Sequence, residues 1–417
     1  MYDVIVVGGG AAGMMAAGQA AMTGAKAVLL EKTDRLGKKV AISGKGRCNI
    51  TNAADVATII KQFPGNGNFL YGPLYTFDNQ ALVEFLAQRG VATKVERGQR
   101  VFPVSDDAEQ IVDAFKQFLR QTGVEIRTQA QVNKILRQEQ QITGVRLTSG
   151  EIVPGKAVII CTGGLSYPAT GSTGDGYHWA QELGHTVIPT RPALVPLVSA
   201  ESWVKQLQGL ALRNVQLTAW RGSKVLDTQF GEMLFAHFGI TGPIVLSISR
   251  AVVDELARAK QHVLVTLDLK PALSGEQLDA RLQRDFTALA RKQFKNSLQD
   301  LLPKNLIPVI IDLSQIPPEK EVHQITREER LHLGRLLKRL PMTIIKSLPI
   351  AAAIVTAGGV SVKEINPKTL ESKLCQGLFF AGEVIDVDAY TGGYNLQAAF
   401  STGYLAGKSA AIGSSEH

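Results

Sequence analysis

The chain has 417 residues, 45% hydrophobic and 20% charged, with a net charge of +8. That length supports two or three domains with a sizeable core, and the composition excludes a disordered or collagen-like chain. Three widely spaced cysteines (Cys48, Cys161 and Cys375) exclude a disulfide scaffold, a zinc site and a dithiol relay, and no apolar run approaches the roughly 20 residues of a membrane-spanning helix.

Taken in chain order, the pattern predicts a strand over 2–7 that runs straight into the glycine turn Gly8, Gly10, Gly13. A helix-compatible run follows over 14–23, then a second strand over 27–30 that ends in Glu31. Only a narrow class of ligand needs this arrangement. The glycines allow a sharp turn, close approach to a pyrophosphate and tight helix–strand packing. The N–H groups of Ala11, Ala12 and Gly13 open a helix and favour a diphosphate. The acid about 20 positions on accepts hydrogen bonds from a ribose diol. The N-terminal segment has neither a basic leader nor a cleavage site, and a cytoplasmic location is expected.

Helical periodicity appears over 81–89 and 108–121. Short strands are then expected over 124–128, 132–136, 142–147 and 151–153, a meander covering one face of the nucleotide domain. A buried apolar strand over 157–161 ends in Thr162-Gly163-Gly164. From 193 to 269 short apolar stretches suggest an inserted β-rich domain, and 270–345 reads as a helical subdomain broken by prolines. That segment, from Lys270 to Lys346, carries 14 Lys and Arg against 9 Asp and Glu. A solvated helical surface is the favoured reading; a footprint for an acidic partner such as RNA is the rival, weakened because Phe286 and Phe294 are the only aromatic residues there.

The chain then returns to the first domain. A strand over 377–381 closes in Gly382-Glu383, and Gly392-Gly393 opens a final helix over about 395–412. The expected fold class is α/β: a Rossmann-type FAD-binding domain built from 1–192 and 346–417, with the two inserted parts between. The second glycine turn favours FAD over NAD, because a NAD fold needs only the N-terminal unit. Glu383 or Asp386 would meet the ribityl chain, and the helix opening at Gly393 and Asn395 would face flavin N1 and O2.

Several stretches resemble the BaiN-like bacterial NAD(P)/FAD-dependent oxidoreductases: residues 37–52 (GKKVAISGKGRCNITN), 162–177 (TGGLSYPATGSTGDGY), 231–243 (GEMLFAHFGITGP), 356–360 (TAGGV), 377–388 (GLFFAGEVIDVD) and 391–397 (TGGYNLQ). The resemblance implies an FAD domain with an inserted barrel-like domain and a helical domain. The TGG, TGDG, TxGGV and GLFFAGE elements are also similar to the fumarate reductase and ketosteroid dehydrogenase flavoproteins, which implies hydride transfer at flavin N5. Val355 stands where the fumarate-type histidine would be, which argues against a dicarboxylate substrate.

The 43–52 loop is dense in glycine and polar groups. Gly44 and Gly46 would let the backbone lie against a flat ligand; Ser43, Asn49 and Thr51 would bind flavin or diphosphate oxygens, and Arg47 a diphosphate or a substrate anion. Lys32, Lys39, Val132, Thr162, Gly163, Gly164 and Leu396 complete the expected cofactor set. Candidate proton donors are Tyr167, His237 and Tyr390, and Cys48 is a candidate redox thiol. No metal site is expected.

No second glycine fingerprint is present, so NAD(P)H, if it is the electron donor, would dock transiently; the alternative is that substrate reduces the flavin and O2 reoxidises it. The resulting expectation is a soluble oxidoreductase with non-covalent FAD and a small-molecule substrate buried by the inserted domain. Nucleic acid and membrane are not expected partners, and the sequence sets no oligomeric state. The rivals are a flavin-dependent tRNA-modifying enzyme and a flavin-binding electron carrier without a substrate of its own.

Overall fold

The strand Tyr2–Val7 is the centre of the first unit because its last four residues are fully apolar and buried. It pairs in parallel with Ala27–Leu30 on one side and with Ile152–Ile160 on the other. The computed structural model describes residues 1–259 and 261–415. These divide into two units, one of Met1–Pro192 with the chain from Ile354 onward, the other Ala193–Ala353.

In the first unit the sheet order is Glu125–Arg127, Ala27–Leu30, Tyr2–Val7, Ile152–Ile160, Gln141–Leu147, Val132–Gln138, with Leu378–Phe380 also on Ile152–Ile160. The strand Ile152–Ile160 has two halves. Residues 152–154 pair antiparallel with 144–146, and residues 155–160 pair parallel with the first strand. The expected break at Pro154 and Gly155 therefore does not occur. The meander joins the parallel sheet through this shared strand.

The helix Ala11–Met22 packs on this sheet with ten consecutive buried residues, most of them Ala, Gly and Met, which lets backbones approach closely. Ala108–Gln121 buries Ile111, Val112, Phe115, Phe118 and Leu119 on one stripe. The last helix is Tyr394–Ser415, longer at both ends than expected. It runs to Ser415, and residues 416 and 417 lie outside the described residues.

The second unit is a closed six-stranded barrel in the order Leu197–Ser199, Gly239–Thr241, Lys224–Ala236, Ala211–Arg221, Val263–Asp268, Leu340–Ser347. Alternation writes the barrel core: Val263, Val265 and Leu267 are buried, whereas Leu264 between them is exposed. A long helix, Pro243–Ala259, joins that core through Ile244, Val245, Ile248 and Val252. Helices Gly275–Ala288, Ile307–Ser314 and Arg327–Lys338 lie between the fifth and sixth barrel strands in sequence. Ser274 with Gln277 and Thr326 with Glu329 form capping boxes that start two of them. The segment expected as helical, 270–345, thus ends inside a barrel strand, because Leu340, Met342 and Ile344 alternate inward.

No helix among the described residues is long and apolar enough to cross a membrane.

Candidate cofactor and active site

A cavity opens at the carboxyl ends of the parallel strands of the first unit, where ligands of open α/β sheets bind. Val7, Leu30 and Cys161 mark those ends, and Gly8, Gly10, Ala11 and Ala12 form the adjoining wall. The three fingerprint glycines have different reasons. Gly8 has φ +104°, and a β-carbon at Gly13 would lie 1.8 Å from Gly8 O, so the fold itself requires both. Gly10 has φ −81°, and a β-carbon there would meet no protein atom within 4 Å. Its bare backbone is a cradle facing the cavity. The helix Ala11–Met22 opens there without a side-chain cap, so its first N–H groups remain for a ligand.

A second observation agrees. Thr162 Oγ1 is buried without a hydrogen-bond partner, and Thr162 lines the cavity. An orphaned buried hydroxyl costs about 1–3 kcal/mol unless a ligand or water meets it. These features fit an anionic dinucleotide.

Glu31 ends its strand almost fully buried. Its Oε2 accepts from Gly9 N (2.6 Å) and its Oε1 from Thr33 N (2.7 Å), which fixes the carboxylate at the cavity wall. Lys32 Nζ pairs with Asp175 (2.7 Å). Farther along, Glu383 is held by Lys39 Nζ (2.6 Å), Thr356 N (2.8 Å) and Ser166 Oγ (3.1 Å). Tyr177, whose hydroxyl donates to Glu383 O (3.4 Å), is pushed far above its ordinary range by burial, then by the nearby charges of Glu383 and Asp386.

Of the residues expected from sequence, Gly8, Gly10, Ala11, Ala12, Glu31, Lys32, Lys39, Ser43, Val132, Thr162, Gly163, Gly382, Glu383, Asn395 and Leu396 line one cavity. Gly13, Gly164 and Asp386 do not; the Asp386 carboxylate accepts from Asn66 Nδ2 (2.9 Å).

The 43–52 loop requires the main corrections. Arg47 is bound to Glu96 and to Asp106 (2.6 Å) and lies over the Phe102 ring, so its guanidinium is committed within the protein. In the amide orientation that satisfies both ends, Asn49 Oδ1 accepts from Gly393 N (2.9 Å). Asn52 Nδ2 donates to Gly392 O (3.1 Å), and Thr51 Oγ1 to Gln397 Oε1 (2.6 Å). The loop, with Gly44 and Gly46 in left-handed backbone, therefore fastens the start of the last helix; beyond Ser43 it does not line the cavity. Gly393 is part of that fastening, with no place in the lining.

Cys48 is fully buried, and burial raises its thiol to about 11, which argues against a redox role.

The proton-donor candidates fall elsewhere. Tyr167 is 39% exposed with φ +51° and lies outside the lining. Tyr390 is half-buried, its backbone N donating to Gln62 O (3.1 Å). His237 is exposed in the tight turn between two barrel strands of the second unit, neither a core histidine nor part of this cavity. Ala130, Gly171, Ser172, Ile354 and Val387 line the cavity without having been expected. The TGSTGDG run carried a signal for two of them, since Gly171 has φ +104° in that turn.

Comparison with known proteins places this geometry. The model of the HI0933-like protein Rossmann domain matches residues 2–409. The chain is 33% identical over 414 residues to the 3-dehydro-bile acid delta(4,6)-reductase of Clostridium scindens, covering 99% of both chains. It is 31% identical over 409 residues to the ribosomal RNA dihydrouridine synthase of Escherichia coli, covering 97% of this chain and 96% of that one. Among solved structures, 3-ketosteroid delta1-dehydrogenase from Sterolibacterium denitrificans superposes with a TM-score of 0.54 at 14% identity, over 99% of both chains. The first two relatives are enzymes in their own right, so an electron carrier without a substrate has no counterpart here. The chain belongs to the HI0933-like Rossmann family, and it has the fold of the FAD-dependent oxidoreductases that its motifs resemble.

Proposed function

We propose that this chain binds FAD non-covalently in the cavity of the first unit and reduces an electron-poor carbon–carbon double bond conjugated to a carbonyl. The observation that carries this reading is the full-length 33% identity to a delta(4,6)-reductase. The second relative's product, a dihydrouridine, is likewise a ring in which a double bond conjugated to a carbonyl has gained two hydrogens. One chemistry covers both: hydride to the β carbon, a proton to the α carbon.

FAD, when bound, would supply a hydride from N5, with NAD(P)H as the proposed source of electrons. The proton comes from solvent, and the chain would hold the cofactor. The bare backbone of Gly10 and the first N–H groups of the helix after it hold the diphosphate, and Thr162 Oγ1 gains a partner. Glu31 accepts from the adenosine ribose. Glu383, held by Lys39, Ser166 and Thr356, accepts from the ribityl hydroxyls. The N-terminus of the helix Tyr394–Ser415, entered through Asn395 and Leu396, places positive potential beside the ring.

The test is anaerobic stopped-flow reduction of the purified, FAD-loaded protein by NADH and by NADPH, followed by addition of a 4,6-dien-3-one steroid. Bleaching by one nucleotide and return of the flavin band on adding the dienone are the expected results. A flavin that neither nucleotide bleaches would overturn the reductase reading.

A polynucleotide acceptor is a second reading, favoured by the 31% identity to the ribosomal RNA enzyme and by the basic segment after Lys270. Dihydrouridine mapping of ribosomal RNA from cells with and without this protein tests it: a site lost with the protein supports it, and identical maps remove it.

A further inference from the structure

The second unit holds a groove of about 650 Å³ whose lining contains no residue of the cofactor cavity. Its walls are the barrel strand Ala211–Arg221, through Gln216, Thr218 and Trp220, and its two neighbours, together with the helices Gly275–Ala288 and Arg327–Lys338. Its size is that of ordinary small-ligand sites, which span roughly 300–1,000 Å³.

Three observations bear on what it takes. Arg335 and Arg339 line it, and among the described residues neither forms an ion pair. Lys338, between them in the helix, is by contrast held by Asp268 at 2.6 Å. Next, the Arg339 guanidinium lies 4.7 Å from the centroid of the Trp220 ring, and the indole Nε1 donates to Thr266 Oγ1 (2.9 Å), which anchors the ring. The pair is a cation–π platform.

The third observation is a glycine. Gly334 sits in the interior of the helix Arg327–Lys338, where glycine is among the poorest helix formers. A β-carbon there would meet only Leu282 Cδ1, at 3.8 Å, an ordinary contact. Packing does not require this glycine, and it lines the groove. Its effect is to leave the groove open beside the two guanidiniums, of which Arg335 donates through Nε to Leu331 O (3.3 Å) and, among the described residues, keeps its terminal nitrogens without a carboxylate partner.

We propose that this groove binds a nucleotide unit, with the base against the Trp220–Arg339 platform, the phosphate on Arg335, and Gln216 at the base edge. Two unpaired guanidiniums call for an anion, and the indole beside them calls for a flat ring. Single-stranded nucleic acid is held by this combination of cations and stacking. The basic segment after Lys270 lacks Trp and Tyr in sequence; the fold supplies the missing aromatic by setting Trp220, from a barrel strand, against its helix. The nucleotide belongs to an RNA strand or is free in solution. The first source deepens the polynucleotide reading above and rests on it.

The experiment uses the full-length, FAD-loaded protein and needs no turnover. A labelled oligouridylate of about 12 nucleotides is titrated by fluorescence anisotropy across a range of salt, and UMP and AMP are measured by equilibrium dialysis. Arg335→Gln removes a surface cation. Gly334→Leu fills the groove while improving the helix. Each is expected to weaken binding at least about tenfold, and Arg335→Gln to reduce the salt slope by roughly 0.7, one phosphate contact on a single strand. Reduction of the flavin by NAD(P)H should be unchanged in both.

Binding of the strand without binding of the mononucleotides assigns the groove to RNA; mononucleotide binding with the same dependence on the two variants assigns it to a free nucleotide. Absence of binding by both probes overturns the proposal, as does binding that neither variant alters. Flavin reduction and dienone turnover are read without RNA, so failure of the reductase reading and failure of this one are separate results.

Discussion

Lys39 Nζ lies 2.6 Å from Glu383 Oε2, an ion pair across the cavity between residues 344 positions apart. The side chains are 27% and 19% exposed, so water screens them less than a surface pair. Lys39 also donates to Ser166 Oγ (2.6 Å), and the three groups hold one another in place. Lys39→Met is expected to weaken FAD binding about tenfold, ~1.4 kcal/mol, with little change in the melting of FAD-free protein. Fluorescence titration of apoprotein with FAD checks this; unchanged affinity would remove Glu383 positioning from the account of the site.

The fingerprint glycines separate ligand from fold. Gly10→Val is expected to abolish the yellow colour of the purified protein. The folded FAD-free protein should lose only about 1 kcal/mol at the helix start. Gly13→Ala, whose new methyl would overlap Gly8 O, is expected to cost about 3 kcal/mol or more and to reduce soluble yield. Thermal melts of both proteins without FAD decide the matter. Equal destabilisation would mean that Gly10 too serves the fold.

Cys48 is expected to be inert. With its thiol raised to about 11 by burial, the thiolate fraction at pH 8 is about one in a thousand. Iodoacetamide should modify Cys48 only after denaturation, as peptide mass mapping would show. Cys48→Ala should reduce and reoxidise its flavin at wild-type rates.

His185 sets an acid limit on stability. Its ring is fully buried, with Nε2 2.9 Å from Ser372 Oγ and Nδ1 3.3 Å from Glu364 Oε2. Burial lowers its pKa from the usual 6.5, with Glu364 opposing. The unfolded chain therefore takes up the proton first. The contribution of neutral His185 is whole above about pH 6.5 and is lost as the pH falls toward the lowered folded value. Glu364, itself lowered, adds a second loss below about pH 4.5. Melting temperature should fall between pH 7 and pH 5.5, and His185→Asn should flatten that part of the profile. A parallel fall in the variant would assign the effect to other groups.

The nucleotide half of the site was legible because it is local: a strand, a glycine turn, a helix and Glu31 within the first 31 residues fix their own geometry. Glu383 and Asn395 were legible through a second local unit of the same kind. The 43–52 loop was misread because glycines and polar groups that bind a ligand look the same in sequence as those that fasten a distant turn. Only the bonds from Asn49 and Asn52 to Gly393 and Gly392 tell them apart. The sixth barrel strand escaped notice because Leu340, Met342 and Ile344 follow a helix directly. The helix Pro243–Ala259 was hidden among short apolar stretches that read as strands.

The last helix also ties the two chain segments of the first unit together. A β-carbon at Gly403 would lie 2.3 Å from Ala12 O, and one at Gly407 2.2 Å from Ala16 O, so Tyr394–Ser415 packs backbone to backbone on the helix that carries the N-terminal glycine turn. The cavity therefore has complete walls only when both segments of the first unit, Met1–Pro192 and the chain from Ile354 onward, are in place. A chain cut before Tyr394 keeps the complete fingerprint but loses Asn395, Leu396, Ala398 and Ala399 from the cavity wall.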